Sequence, residues 1–347
     1  TPASTVKLAT AVAVLSARGE NHRIPTRVVA DADDGAVTLV GGGDPTLSED
    51  DLGELAEDTV RALHKRGTEK VTLRYDVSRY EGTDQHPIGP NENLAPVTPL
   101  MLDEGRLDDS ENGPAPRAGD PAGQAVEAFG KRLEAGGVAL TGPAELKEAP
   151  GDARELAVHR SAPLRALVER MLTHSDNDIA EALARQTAIA AGEPAGFAGA
   201  EKAVKKRLER LGLPVEGARF ADGSGLDRAD KVTAALLTRL LALAADPGRP
   251  ELRPVLTGMP VAAFTGTLGG RYDSARERTG AGLVRAKTGT LTGVNTLAGT
   301  VVDADGRMLA FAFLTSGTRD RDAAQESLDE LASALANCGC RESQSGR

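Results

Sequence analysis

The sequence predicts an α+β protein in which a small α/β domain interrupts a larger domain made of an antiparallel sheet flanked by helices. Elements of the first half follow the order strand, helix, strand, which is typical of an α/β unit. The second half is a run of helices, then three successive strands and a closing helix, which indicates an antiparallel sheet with helices packed on it. We therefore expect a discontinuous domain (residues 1–22 and 156–340), an inserted domain (residues 23–155) and a flexible tail (residues 341–347).

Apolar spacing and turn residues define the elements of the first half. The opening helix begins near Pro2 and is apolar around most of its circumference, which predicts burial on nearly all sides. The Gly-Gly-Gly-Asp-Pro run lacks the Gly-Lys-Ser/Thr of a phosphate loop, so we interpret it as a turn. The other predicted elements are a strand within residues 35–45, a helix over 48–67, a strand over 70–76, a loop between 81 and 121, and a helix over 123–137.

The second half changes from helical to strand periodicity. Apolar residues three to four positions apart predict a helical subdomain, with helices over 163–174, 178–192, 199–212 and 233–246. Alternating and apolar runs then predict strands within 282–290, 294–303 and 307–317, and a last helix over 322–337. The opening helix is the expected packing partner of this half.

Composition excludes several classes of protein. A formal net charge of -10 and 3% aromatic residues, with no Trp, argue against nucleic acid as a partner. The apolar runs are too short to span a membrane, so we expect no requirement for membrane association. The five histidines show no metal spacing, and we expect no metal and no cofactor. Cys338 and Cys340 fit either a short-loop disulfide or a free, solvent-facing pair.

Ser4 and Lys7 lie one helical turn apart at the start of the apolar opening helix. One interpretation is structural, with Ser4 satisfying a helix N–H and Lys7 extending its ammonium to solvent. The other interpretation is a nucleophile and its base, because Lys7 is within reach of the Ser4 hydroxyl on the same helix face. Burial and a second nearby cation would both favour the neutral amine that a base requires.

Two further motifs supply the partners that the second interpretation needs. Ser175-Asp176-Asn177 falls in a predicted turn between two helices, and Lys287-Thr288-Gly289 falls on a predicted strand at a sheet edge. His174, next to the first motif, is interpreted as a solvated or capping residue. Thr265–Leu268 repeats the letters of the second motif, but Phe264 replaces the lysine, so we expect only the second copy to carry chemistry.

Together with Ser4-x-x-Lys7 these motifs form the set that is typical of penicillin-binding proteins and serine β-lactamases. The segments PASTVKL, LVGGGDPTL, DGSGLDR and AKTGTLTGV are similar to those of the D-alanyl-D-alanine carboxypeptidases among the low-molecular-mass class C penicillin-binding proteins, and the resemblance covers nearly the whole chain. It implies a β-lactamase/transpeptidase-like fold with a domain inserted after the nucleophile helix. It also implies that the backbone N–H groups of Ser4 and Thr290 form an oxyanion hole.

The residue types suggest a division of roles. We expect Ser4, Lys7, Ser175, Asn177 and Lys287 to be catalytic: Ser175 relays a proton to the leaving amine, and Asn177 orients Lys7 and the substrate amide. Substrate binding is expected of Thr288, Gly289 and Thr290. The two hydroxyls, with Lys287, suit a terminal carboxylate, and the glycine lets the substrate approach the strand.

The expected function is a serine peptidase that removes the terminal D-Ala from peptidoglycan stem peptides, and possibly cuts cross-links, outside the cytoplasm. Peptidoglycan stem peptides and β-lactam antibiotics are the expected partners. Efficient β-lactam hydrolysis is not expected, because no glutamate after the Ser-Asp-Asn motif matches the deacylating residue of class A β-lactamases. The alternative is a catalytically silent relative that binds the cell wall.

The start of the chain carries its own expectation. The resemblance implies strands before the nucleophile helix, whereas only three residues precede Ser4, and the sequence shows no secretion leader. We expect an N-terminally incomplete form of a longer exported precursor.

Overall fold

The structure is a computed structural model that describes residues 1–32 and 35–338. The chain forms two compact units: the first comprises Thr1–Glu20, Arg165–Asp176 and the chain from Glu201 onward, and the second comprises Asn21–Leu164 and Asn177–Ala200. The domain bounds given above place residues 177–200 in the larger domain, and those bounds stay a prediction. Cys340 and the expected tail lie outside the described residues.

The helices and strands follow in chain order. The helices are α1 (Lys7–Arg18), α2 (Glu49–His64), α3 (Pro121–Ala135), α4 (Leu164–His174), α5 (Asn177–Ala191), α6 (Phe197–Arg210), α7 (Ala234–Ala244), α8 (Pro254–Thr257) and α9 (Arg321–Ala336). The strands are β1 (Pro25–Ala30), β2 (Ala36–Val40), β3 (Lys70–Asp76), β4 (Ala139–Leu140), β5 (Glu145–Leu146), β6 (Arg154–Arg160), β7 (Val284–Leu291), β8 (Val294–Val302) and β9 (Met308–Ser316). No helix among the described residues is long and apolar enough to cross a membrane.

The first unit is built on the antiparallel sheet β7-β8-β9. Residues 303–307 connect β8 to β9. Gly306 in this turn has a positive φ of 79°, a conformation that favours glycine. Helix α9 packs on β8, and α1 packs on α7. Leu297, Phe311, Leu328 and Ala332 form part of the core between the sheet and α9. The predicted antiparallel sheet with its closing helix is confirmed.

The second unit contains a mixed sheet with the strand order β4-β3-β2-β1-β6. Strands β2 and β3 are parallel, and helix α2 connects them, as the strand–helix–strand pattern predicts. Leu39, Leu73, Leu52 and Phe129 pack together in the core formed by the sheet, α2 and α3. The unit thus contains the α/β arrangement that the sequence predicts for residues 23–155, together with residues 156–164 and 177–200, which the prediction placed in the larger domain.

Strands β1 and β6 are absent from the sequence-based prediction. Strand β1 (PTRVVA) begins at Pro25 and carries an arginine, and β6 (RELAVHR) has only three apolar residues between polar ends, so neither is as apolar as β2 (AVTLV). Their partners compensate for this weak local signal, because β1 pairs antiparallel with β2 on one side and with β6 on the other.

Candidate active site

Ser4 and Lys7 lie at the entrance to α1, where a single 3₁₀ turn over Ala3–Val6 precedes the α-helix. Lys7 is completely buried, and its Nζ donates a hydrogen bond of 3.0 Å to Ser4 Oγ. The structural interpretation of the pair is wrong on both counts: no side chain caps either helical segment, and the ammonium of Lys7 does not reach solvent.

A loop after α6 supplies the second partner of Lys7. The Ser224 carbonyl accepts a hydrogen bond of 2.6 Å from Lys7 Nζ. Asp222 holds the loop, because its carboxylate accepts hydrogen bonds from the backbone N–H groups of Ser224 (3.1 Å) and Asp227 (2.7 Å). Gly225 lies against the nucleophile turn, where a Cβ would come within 2.1 Å of the Ala3 carbonyl oxygen. This loop belongs to the DGSGLDR segment, whose role in the site the sequence analysis did not predict.

Ser175 and Lys287 form a second serine–lysine pair. Ser175 lies in the predicted turn between α4 and α5, with a positive φ of 59°, and Lys287 lies on β7. The Nζ atom of Lys287 donates to Ser175 Oγ at 2.8 Å and to the Thr288 carbonyl at 2.7 Å. Complete burial, and then the charge of Lys7, hold the pKa of Lys287 well below its usual value.

The rest of the Lys-Thr-Gly-Thr motif continues along β7. Thr288 is buried, with its hydroxyl oxygen 2.7 Å from that of Thr267, whereas Thr290 is exposed. Gly289 lies between them, where a Cβ would be 2.2 Å from Thr296 Oγ1 and 3.0 Å from the backbone nitrogen of Ser4. Only glycine therefore lets β7 lie this close to the nucleophile turn.

Asn177 is the one predicted site residue outside the first unit. It begins α5 in the second unit, where its Nδ2 donates to the Asn93 carbonyl at 2.9 Å. The structure thus brings seven of the eight predicted residues into the first unit, and the expected contact of Asn177 with Lys7 stays a prediction. His174 is exposed, in agreement with its interpretation as a solvated residue.

Two residues near the Lys-Thr-Gly-Thr motif were missed. Thr267 contacts Thr288, and the Nε2 of Gln325 on α9 donates to Thr290 Oγ1 at 3.2 Å. The repeated Thr-Gly-Thr-Leu letters were a signal for the first of these. Gln325 carries no local signal, because it reaches the motif only through the packing of α9.

A Ser-x-x-Lys helix beside a Lys-Thr-Gly strand, on a three-stranded antiparallel sheet, defines the class of the serine-active penicillin-binding enzymes. Comparison with known proteins gives the family. The chain belongs to the D-Ala-D-Ala carboxypeptidase 3 (S13) family, whose sequence profile matches residues 1–115 and 109–338. It is a serine-type D-Ala-D-Ala carboxypeptidase, a hydrolase.

Individual relatives agree with this assignment. Carboxypeptidase Rv3627c of Mycobacterium tuberculosis and carboxypeptidase DacB of Mycolicibacterium smegmatis are each 37% identical to this chain over 98% of its length, and the matches cover 76% of each relative. Among solved structures, penicillin-binding protein 4 of Haemophilus influenzae superimposes with a TM-score of 0.79 at 25% identity, covering 96% of this chain and 90% of the other. The predicted transpeptidase-like fold is thereby confirmed.

Proposed function

We propose that Ser4 is the nucleophile and Lys7 its general base in the removal of the terminal D-Ala from peptidoglycan stem peptides. The observation that carries this proposal is the 3.0 Å contact between Lys7 Nζ and Ser4 Oγ, made by a fully buried lysine. A serine hydroxyl is a weak nucleophile until a base takes its proton, and burial favours the neutral amine that can do so. The Ser224 carbonyl fixes Lys7 Nζ next to that proton.

Acylation then transfers atoms in a balanced sequence. Ser4 Oγ attacks the carbonyl carbon between the last two D-Ala residues, and its proton passes to Lys7. The C–N bond breaks as the leaving amine takes the proton of Ser175, whose hydroxyl is held 2.8 Å from Lys287 Nζ. The proton that Lys7 took from Ser4 replaces it, so Ser175 is a hydroxyl and Lys7 a neutral amine again. Water hydrolyses the resulting acyl ester. The N–H groups of Ser4 and Thr290 stabilise the oxyanion, and losing one such donor typically costs ~10²–10³ in rate.

The terminal carboxylate of the substrate is recognised by Lys287, Thr288 and Thr290. Two hydroxyls and an amine on one short stretch of β7 supply the donors that a carboxylate needs. A site built around a free carboxylate favours cleavage at a chain end. Asn177 orients the substrate amide in this scheme. The same three groups suit the carboxylate of β-lactams, which would acylate Ser4, and we place the reaction at the cell wall outside the cytoplasm.

The experiment is acylation by benzylpenicillin followed by intact-mass spectrometry. Wild type should gain one drug mass, and the adduct should persist for minutes or longer because no deacylating glutamate is identified. Ser4→Ala should gain none and should lose D-Ala release from an N-acylated D-Ala-D-Ala peptide by roughly 10³-fold or more. Ser327→Ala, which removes an exposed serine on α9, is the matched control and should behave as wild type. Labelling that survives in Ser4→Ala contradicts the assignment.

A further inference from the structure

The two Thr-Gly-Thr-Leu copies of the sequence meet in the structure. Thr267 of the first copy and Thr288 of the second place their hydroxyl oxygens 2.7 Å apart. The segment before the first copy pairs with β7, because Ala262 N donates to the Val284 carbonyl at 2.9 Å and Ala286 N donates to the Pro260 carbonyl at 3.0 Å. The first copy therefore lies at the end of a short strand pairing, directly beside the Lys-Thr-Gly-Thr motif.

The loop that carries Thr267 is held in place. Leu268 is fully buried in the core of the sheet. Gly266 has a φ of +54° and packs against the backbone of Thr173, where a Cβ would lie 2.1 Å from the carbonyl oxygen. Ala263 N also donates to the Leu268 carbonyl at 3.1 Å, which closes the loop. Thr267 is exposed, yet its backbone position is fixed.

A second residue contacts the other hydroxyl of the motif. The Nε2 of Gln325 donates to Thr290 Oγ1 at 3.2 Å and lies 3.5 Å from Asn295 Oδ1. Arg271 anchors this part of α9, because its guanidinium donates to both carboxylate oxygens of Asp329 at 2.7 Å and to the Gln325 carbonyl at 3.3 Å. One arginine thus ties the loop of Thr267 to the helix of Gln325.

The hydroxyls of Thr288 and Thr290 each have one proton, and each can donate a hydrogen bond to a carboxylate only if that proton is not already donated to another group. An amide N–H of Gln325 occupies a lone pair of Thr290 Oγ1, so the Thr290 proton is left to point elsewhere. Thr288 can donate to a carboxylate only if the hydroxyl of Thr267 donates to it. When Thr267 donates to Thr288, both neighbours leave a hydroxyl proton free to point at an anion in front of β7.

We infer that Thr267 and Gln325 are positioning residues that orient the hydroxyls of Thr288 and Thr290 toward the terminal carboxylate of the substrate. This inference rests on the proposed function, in which those two hydroxyls bind that carboxylate. The bound terminal residue would cover the exposed side chain of Thr267, and the loss of water strengthens the hydrogen bond when substrate is present. The pair thereby selects substrates with a free C-terminus.

The test compares two substrates that differ only at this end: an N-acylated tripeptide ending in D-Ala-D-Ala, and its C-terminal carboxamide. The measured quantity is the ratio of their kcat/KM values. Thr267→Val keeps the shape and removes the hydroxyl, and it should lower the ratio about tenfold, because Thr288 is then no longer oriented for its hydrogen bond to the charged carboxylate. Thr267→Ser retains the hydroxyl and should keep the wild-type ratio.

Gln325 has its own pair of variants. Gln325→Met removes the donor and should lower the ratio by a similar factor. Gln325→Glu places an acceptor and a negative charge beside Thr290, so it should lower the ratio further, with the loss confined to the carboxylate substrate. Ser327→Ala on the same helix is the control, and melting temperatures monitor folding.

The outcomes separate this inference from the proposed function. If wild type prefers the carboxylate substrate and every variant keeps that preference, or if Thr267→Val slows both substrates equally, Thr267 and Gln325 do not position the hydroxyls. If wild type does not discriminate between the two substrates, the proposed carboxylate site itself is wrong.

Discussion

At the scale of single residues, the site is two serine–lysine pairs with different surroundings. Lys7 is bound by Ser4 and by a backbone carbonyl from the loop of Asp222, whereas Lys287 is bound by Ser175 and the carbonyl of Thr288. Both lysines are fully buried. The first pair lies at the nucleophile turn, and Lys287 of the second pair lies on the strand that binds the carboxylate in our proposal, so the two lysines should tolerate substitution differently.

Arginine at each position tests this difference. Lys7→Arg should abolish acylation by a fluorescent penicillin, because a guanidinium stays charged and cannot act as a base. Lys287→Arg should keep part of the acylation rate, because attraction for the carboxylate of the drug survives. The measurement is the second-order rate constant for labelling, with melting temperatures to confirm that both variants fold. Equal loss in the two variants would argue against the division of roles.

The residues of the site were unequally predictable. Ser4, Lys7 and Lys287 could be inferred because each belongs to a short motif whose spacing fixes its place on a helix or strand. Thr267 lies in the repeated Thr-Gly-Thr-Leu segment, but the repeat alone did not show that this segment meets the motif, because that contact depends on the pairing of residues 260–262 with β7. Ser224 and Gln325 depend on contacts with residues more than 30 positions away in the sequence, which no local pattern encodes.

At the scale of elements, close backbone approach holds the nucleophile turn. Two glycines contact the segment Pro2–Ser4 from different directions: Gly289 on β7, and Gly225 on the loop after α6. The Gly225 φ of +87° and its contact with Ala3 both require glycine. The position of Ser4 is thus set by neighbouring backbone segments as well as by α1 itself.

Gly225→Ala should therefore damage both stability and acylation. Alanine at a left-handed φ costs roughly 1 kcal/mol by itself, and the added Cβ would also push against the Ala3 carbonyl and shift Ser4. Gly306→Ala is the matched control: its φ is +79°, but the added Cβ meets no atom within 4 Å. We expect both variants to melt lower, and only Gly225→Ala to lose acylation, by roughly 10²-fold, since small misplacements of a nucleophile are costly. Similar acylation rates in the two variants would show that Gly225 does not position Ser4.

At the scale of the whole molecule, the overall architecture could be predicted from the sequence more completely than the pairing of the strands could. Helices α4 to α7 and α9 and the strands β7, β8 and β9 lie where apolar spacing predicts them, because each buries apolar residues, whereas the short α8 was not predicted. Strands β1 and β6 were missed because their pairing partners, rather than their own residues, stabilise them. Tertiary context decides such strands, and local patterns do not record it.

Two buried ionisable groups of the first unit give the stability of the protein opposing dependences on pH. Burial and the charge of Lys7 lower the pKa of Lys287. Between that lowered pKa and the ordinary lysine value the unfolded chain binds the extra proton, so stability rises with pH. Asp230 behaves in the opposite way: burial, and then the charge of Asp222, raise its pKa far above the ordinary carboxyl value. The folded chain holds that proton, and stability falls as pH rises.

The last prediction follows from these signs. The free energy of unfolding of Lys287→Met should rise less steeply with pH than that of wild type between pH 6 and 9, by up to about 1.4 kcal/mol per pH unit. Asp230→Asn mimics the protonated acid and removes the fall in stability with pH that Asp230 causes. The free energy of unfolding of this variant should therefore rise more steeply with pH than that of wild type. Urea unfolding of the three proteins at several pH values measures both slopes. Parallel curves for wild type and Lys287→Met would mean that Lys287 keeps its proton in the folded protein, and the amine would then be a permanent cation beside Ser175.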